Sequence, residues 1–183
     1  MAETVSRAAA ERSLPHNLEA ERCVLGAILI HNDTFNQAAE LIDADDFFRD
    51  AHRRVFDKMV GLNERGEAID LVTLKDELGR SGDLDRVGGP AYIAGLVDGV
   101  PRSTHVGHYA RIVKEKSTLR NLIFASNRIL DTAYSTEDAP DLILDRAEQE
   151  IFSIADDNIH TGFVPLRDLV QGSFATIEAL QEH

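Results

Sequence analysis

From Ser103 to Tyr134 the sequence contains no proline, and no glycine follows Gly107. Apolar residues recur through this stretch at the three- and four-residue spacing of a helix face. They are Tyr109, Ile112, Val113, Leu119, Leu122, Ile123, Ile129, Leu130 and Ala133. A break at 135–140 precedes a second helical pattern. Because a short connection between two long helices turns the chain back, the sequence predicts an antiparallel helical hairpin over residues 102–156.

Charge is segregated between the two arms of this hairpin. The first arm has six basic residues against Glu115; they are Arg102, Arg111, Lys114, Lys116, Arg120 and Arg128. The second arm has eight acidic residues against Arg146; they are Glu137, Asp138, Asp141, Asp145, Glu148, Glu150, Asp156 and Asp157. Opposite charge fits the pairing of the arms. Exposed ion pairs contribute only about 0–1 kcal/mol each, so apolar contacts must supply most of the stability.

Residues 15–101 predict a compact bundle of shorter helices. A helix from Leu18 to Ile30 is capped by Asn17, and Asp33 caps the next short one. Further helices are predicted at 48–64, ending at Gly66, at 70–78, and from 88 onward, where Pro90 suits a first helical turn. No strand-like alternation of useful length occurs. The fold class predicted is all-α, with the hairpin following the bundle.

The two ends of the chain have a different character. Residues 1–14 are alanine-rich without an apolar pattern and are predicted to be a disordered tail. A linker is predicted at 157–164, followed by a terminal amphipathic helix at 165–183. Its apolar stripe is Leu166, Leu169, Val170, Phe174, Ile177 and Leu180. This stripe either folds back on its own domain or docks on another protein, and the preceding linker favours docking.

Composition argues against several classes of protein. The net charge of −13 disfavours a direct grip on DNA, since phosphate contacts require lysine and arginine. The apolar stretch 23–30 is too short for a membrane span, and no signal-peptide pattern precedes it. Cys23 is the single cysteine, which excludes an internal disulfide and indicates a small buried side chain. The sequence therefore predicts a cytoplasmic protein that does not bind membranes.

The sequence lacks the patterns that carry common chemistries. It has no G-x-x-x-x-G-K-[ST] loop, no G-x-G-x-x-G and no H-E-x-x-H. His105 and His108 are spaced for one helix face, but no third ligand accompanies them, so surface histidines are the simpler interpretation. No catalytic, cofactor-binding or metal-binding residue is predicted. The residues alone indicate a helical scaffold or interaction domain.

Five segments, taken in order, resemble the N-terminal part of bacterial replicative DNA helicases of the DnaB family. They are LPHNLEAERCVLGAIL at 14–29, DFFRDAHR at 46–53, IDLVTL at 69–74, VGGPAYI at 87–93, and YARIVKEKSTLRNLI at 109–123. A single segment is weak evidence for the family, but five in the same order over residues 14–180 are strong evidence for it. The departures are small: Phe48 stands where tyrosine is usual, and residues 103–106 replace a segment that often contains asparagine.

The resemblance implies a non-catalytic collar domain at 15–156 on a hexameric ring, in which hairpins pair and primase is recruited. The ATPase motor, with ATP and magnesium and most DNA contacts, is expected beyond the linker, so this chain is expected to end before it. The helix at 165–183 is expected to pack on a neighbouring subunit and, in some relatives, to help bind a helicase loader. Hairpin residues expected to contact subunits or primase are Tyr109, Arg111, Lys114, Arg120, Ile123 and Arg128.

Three other functions stay open on the sequence. One is a free-standing helical adaptor that binds another protein through the hairpin and has no motor. Another is direct DNA binding by the basic arm, although a solvated face paired with the acidic arm explains those residues more simply. A small enzyme built on aspartate and histidine ranks last.

Overall fold

The computed structural model describes residues 13–100, 105–135 and 139–159, with side chains as far as Asp156 in the last of these ranges. All regular structure within these ranges is helical, which confirms the predicted all-α class. The elements are α1 (Leu18–Ile30), α2 (Thr34–Ala39), a 3₁₀ turn (Ala44–Asp46), α3 (Asp50–Glu64), α4 (Leu71–Arg80), α5 (Gly89–Gly95), α6 (Val106–Ser135) and α7 (Pro140–Ile159). The predicted tail, linker and terminal helix lie outside the described residues, apart from their edges.

Helix starts follow local capping, with two differences from prediction. Asn17 caps α1 as expected, its Oδ1 accepting from the Ala20 N–H at 3.0 Å. Asp33 occupies the cap position of α2, but its side chain makes no capping bond. Helix α3 begins at Asp50 rather than at Phe48, with Arg49 extended at the cap position and the Phe48 and Arg49 N–H groups donating to the Glu21 carboxylate.

The core of the globular part lies between α1, α3, α4 and α5. Phe47 and Phe56 pack with ring centroids 5.1 Å apart and are fully buried. Cys23 is buried here, as predicted. The first half of α6 completes this core through Val106, Ala110 and Val113. One long helix therefore serves two structures, with its first half closing the bundle and its second half forming the hairpin.

The hairpin is formed by the second half of α6 and by α7. Ala125 and Ile154 are buried on the described helices of the hairpin, and Arg128 pairs with Glu150 across it. Two other basic residues of α6, Lys114 and Arg120, bind the globular part instead of the acidic arm. Charge pairing between the arms is thus present, but part of the basic arm serves the joint with the bundle.

Two carboxylates of the globular part have a lowered pKa, and we therefore expect the free energy of unfolding to fall in acid. Asp70 caps α4 by accepting from the Thr73 and Val72 N–H groups at 2.9 and 2.8 Å, and these bonds lower its pKa. The Ser81 hydroxyl and then the charge of Arg54 lower the pKa of Asp83. A lowered pKa means that the stabilising contribution is complete above the ordinary aspartate pKa of about 3.9 and is lost as the pH falls through the folded-state value.

We expect Asp70→Ala to lower stability at pH 7 by about 1 kcal/mol through loss of the cap. The difference from the wild-type chain should shrink as the pH is lowered below about 4, since a protonated Asp70 caps more weakly. Thermal unfolding followed by circular dichroism at a series of pH values measures both effects. A difference in Tm that stays constant down to acid pH would contradict this assignment.

Candidate assembly surface on the helical hairpin

Arg120 lies at the joint between the hairpin and the globular part. It is only 6% exposed, and its guanidinium donates to the carbonyl oxygens of Pro15 and Asp46 at 2.9 and 2.5 Å. The same group stands 5.7 Å from the centre of the Phe48 ring. Burial lowers the pKa of Arg120 from its ordinary value. Arg120 therefore fixes the base of the hairpin and presents little of its surface to a partner.

Two more of the residues expected at an interface contact the globular part. The Lys114 ammonium binds both oxygens of the Asp46 carboxylate, at 3.1 and 3.2 Å. Tyr109 is half-buried against the core. These contacts, with those of Arg120, set the direction in which the hairpin leaves the bundle. Such a role could not be read from the sequence, because Asp46 lies 68 residues from Lys114.

The other expected interface residues lie on the surface. The Nε of Arg111 donates to the Gly107 carbonyl within α6, and Ile123 is exposed. Arg128 is exposed and hydrogen bonded to Glu150, which lowers the pKa of that carboxyl. The structure thus separates the expected set into surface residues and residues that hold the hairpin in place.

An apolar stripe runs along the exposed side of α6. Its four members, here called the α6 stripe, are Leu119, Ile123, Leu130 and Tyr134. Their spacing places them on one face of a helix. Leu130 and Tyr134 are 52% and 78% exposed. The stripe lies on the side of α6 away from Ala125, which is buried in the hairpin, and so neither α7 nor the bundle covers it.

Helix α7 adds exposed apolar side chains to the hairpin. They are Leu142, Leu144, Ile151 and Phe152. Scattered apolar residues are normal on a protein surface, whereas a contiguous apolar surface indicates an interaction site. The hairpin carries most of the large exposed apolar side chains of the described residues. It is therefore the candidate interaction surface of the chain.

A buried polar network in the globular part is the other notable cluster of titratable groups. His52 Nδ1 lies 2.7 Å from the Glu21 carboxylate, and His52 Nε2 lies 2.7 Å from the Tyr92 hydroxyl. With Nδ1–H donating to Glu21, Nε2 accepts from the Tyr92 O–H. Burial raises the pKa of Tyr92. The network joins α1, α3 and α5 and has a structural role.

Sequence reasoning missed this network, although one signal was present. Glu21 interrupts the apolar face of α1, and an isolated carboxylate in such a position requires a partner. Within α1 no basic residue lies three or four positions from Glu21, which points to a distant group such as His52. Among the described residues, no group of three or more histidine, cysteine or acidic side chains is placed to hold a metal ion. No helix in these ranges is long and apolar enough to cross a membrane.

Residues 13–115 match the family described as the DnaB-like helicase N-terminal domain. The match covers more than half of the chain. The chain belongs to this family. The resemblance noted in the sequence is thereby confirmed, and the matched region includes the bundle and the first part of α6.

Curated relatives of the DnaB family are replicative helicases. The replicative DNA helicase DnaB of Geobacillus stearothermophilus is 38% identical over 170 residues, covering 93% of this chain and 37% of that protein. The DnaB of Mycobacterium leprae (strain TN) is 37% identical over 171 residues, covering 92% of this chain and 28% of that protein. The chain spans well under half of the length of these relatives.

Solved structures of DnaB proteins share the fold. The crystal structure of the N-terminal domain of DnaB helicase from Mycobacterium tuberculosis matches with a TM-score of 0.74 and 38% identity, over 77% of this chain and 99% of that one. A DnaB-like replicative helicase, described with its interactions with primase, matches with a TM-score of 0.66 and 21% identity. That second match covers 89% of this chain and 36% of the helicase, and at this identity it bears on the fold alone.

Proposed function

We propose that this chain is the N-terminal assembly domain of a hexameric replicative DNA helicase that acts in the bacterial cytoplasm. The α6 stripe is the observation that carries the proposal, because none of the described residues covers its two apolar pairs, Leu119 with Ile123 and Leu130 with Tyr134. Membership of the DnaB family supplies the context for that face. Helicase relatives favour this function over a free-standing adaptor, since an adaptor without a motor has no counterpart among the relatives described above.

Pairing of two copies through the α6 stripe is the arrangement that we propose for assembly. A helix face that is apolar along its length can pack against its own copy about a two-fold axis, which makes the same surface serve both partners. Residues spaced like Leu119, Ile123 and Leu130 suit helix-to-helix packing of this kind. Three such pairs complete a ring of six. The bundles, held to their hairpins by Arg120, then form the outer body of the collar.

The motor of the longer protein is proposed to lie C-terminal to this chain. The sequence contains no phosphate-binding loop, so ATP and magnesium are proposed to bind elsewhere in the longer protein. A net charge of −13 suits a collar that leaves the DNA contacts to the motor. The helix predicted at 165–183 is proposed to dock on a neighbouring motor and to take part in loader binding, through the stripe that includes Leu169 and Ile177.

Recruitment of primase is the partner function that we propose for the hairpin. The exposed charged members of the expected interface, Arg111 and Arg128, are the candidates for primase contact, whereas Ile123 is proposed to contact the second copy through the α6 stripe. Lys114 and Arg120 are proposed to act indirectly, by holding the hairpin in its orientation. The relative described with primase shares the fold, and the proposal extends its interaction with primase to this chain by analogy.

Calorimetry with the C-terminal helical domain of the cognate primase tests this recruitment. We expect saturable binding that Arg111→Glu weakens at least tenfold, because a charge reversal at a contact site opposes association. Lys75→Glu, on the exposed surface of α4, serves as the matched control and should bind like the wild type. Saturable binding that both variants leave unchanged would exclude Arg111 from the contact. Absence of binding by the well-folded chain and by the full ring would overturn the partner assignment.

A further inference from the structure

Helix α7 has an outer face that the pairing of α6 stripes does not use. Phe152 is 68% exposed and lies two residues from the buried Ile154, which places it on the opposite side of the helix. The α6 stripe likewise points away from α7. The hairpin therefore has two apolar surfaces, one on each arm, that face away from each other.

Carboxylates surround Phe152 at the positions that neighbour it on the helix surface. Asp145, Glu148 and Asp156 stand seven and four residues before it and four residues after it. Together with Gln149 and Ser153 they line a shallow hollow of about 550 Å³ beside the ring. Among the described ion pairs none involves these three carboxylates, whereas Glu150, on the inner side of the helix, is paired with Arg128. An aromatic anchor inside an unpaired acidic rim is thus exposed on α7.

We propose that this face of α7 binds an amphipathic helix rich in lysine or arginine that belongs to another protein. Such a helix covers Phe152 with its apolar side and with the aliphatic stems of its basic residues. Its charged heads reach the acidic rim, and a cation over the Phe152 ring gains further attraction. The charge of the acidic arm also speeds the approach of a cationic partner.

Two other occupants fit this face poorly. A second copy paired through the α6 stripe lies on the other side of the hairpin and leaves Phe152 uncovered. Residues 165–183 of the same chain carry Arg167 against Asp168, Glu178 and Glu182, so their net charge has the same sign as the rim. A protein other than this chain, with a cationic helix, therefore matches the surface best.

A designed peptide probes this surface directly. The probe is a fluorescent helix of about 18 residues, five turns, with leucine along one face and lysine elsewhere, and its counterpart carries glutamate in place of lysine. Fluorescence anisotropy measures binding to the 183-residue chain. We expect saturable one-to-one binding of the lysine peptide, weaker at high salt, and no binding of the glutamate peptide. Phe152→Ser should weaken binding at least tenfold, and Asp145→Asn combined with Asp156→Asn should do the same.

Matched controls separate this surface from the general acidity of the chain. Val72→Ser removes an exposed apolar side chain from α4, outside both surfaces of the hairpin, and should leave peptide binding unchanged. Equal affinity of the wild type and Phe152→Ser would overturn the proposal, because attraction to the overall negative charge would then explain the binding. Loss of self-association in Phe152→Ser, measured by light scattering without peptide, would overturn it too and would assign the face to a second copy. Failure to bind the lysine peptide would also overturn the proposal. It would not affect the proposed pairing through the α6 stripe.

Discussion

Replacement of Glu21 by alanine is expected to lower the free energy of unfolding by about 3 kcal/mol, the upper end of the cost of leaving a buried donor without an acceptor. The substitution leaves His52 without its acceptor and removes the oxygen to which the Phe48 N–H donates at 2.8 Å. The His52 side chain stays buried, and an unsatisfied buried donor is costly. Urea unfolding followed by circular dichroism measures the loss.

Glu19 supplies a control for Glu21 within the same helix. It is an exposed glutamate two residues away, and Glu19→Ala should change stability by no more than about 0.5 kcal/mol. Tyr92→Phe removes only the hydroxyl that hydrogen bonds to His52. It should lower the free energy of unfolding by about 1 kcal/mol, between the effects of the two glutamate variants. If Glu21→Ala and Glu19→Ala unfold at the same urea concentration, the network does not stabilise the domain.

Substitution of Gly26 by alanine is expected to destabilise the bundle by about 3 kcal/mol, at the upper end of the cost of overpacking. A Cβ atom at this position would lie 2.3 Å from the Leu96 carbonyl oxygen and 2.5 Å from Cγ2 of Val100. The Leu96 carbonyl oxygen belongs to the backbone, which cannot rotate away as the end of a side chain can. Helix α1 must then move away from the segment that follows α5, and the core between them opens.

The same substitution at Gly79 is the matched control for Gly26. Gly79 lies within α4, and a Cβ atom there would meet nothing within 4 Å. Gly79→Ala should therefore stabilise the chain by about 1 kcal/mol, the difference in helix propensity between the two residues. Opposite signs at the two glycines, measured by thermal or urea unfolding, would confirm the close contact at Gly26. Similar effects at both would contradict it.

The sequence predicted the helices well because their signals are local. Caps such as Asn17, breaks such as Gly66 and the absence of proline between Ser103 and Tyr134 act within a few residues of the helix they bound. The start of α3 was misplaced for the opposite reason. The Phe48 N–H donates to Glu21, 27 residues earlier, and no local pattern reports a partner at that distance.

The candidate surface was harder to predict than the fold. Helix α6 carries apolar residues on three sides, which serve the bundle at Val113, the hairpin at Ala125 and the solvent-facing stripe at Leu130. Helical spacing identifies such residues but does not say which side a neighbour covers. The roles of Lys114 and Arg120 were hidden similarly, since a basic residue on a helix looks the same in a sequence whether it faces solvent or a distant carboxylate.

Sedimentation equilibrium of the chain at a series of concentrations tests the central claim, that the α6 stripe joins copies of this domain. We expect the wild type to associate reversibly into dimers, and Leu119→Asp combined with Leu130→Asp to remain monomeric with an unchanged helical circular dichroism spectrum. Val72→Asp, which replaces a 76% exposed side chain on α4, should dimerise like the wild type. A wild-type chain that stays monomeric at the highest concentration, or a double variant that still dimerises, would contradict the claim.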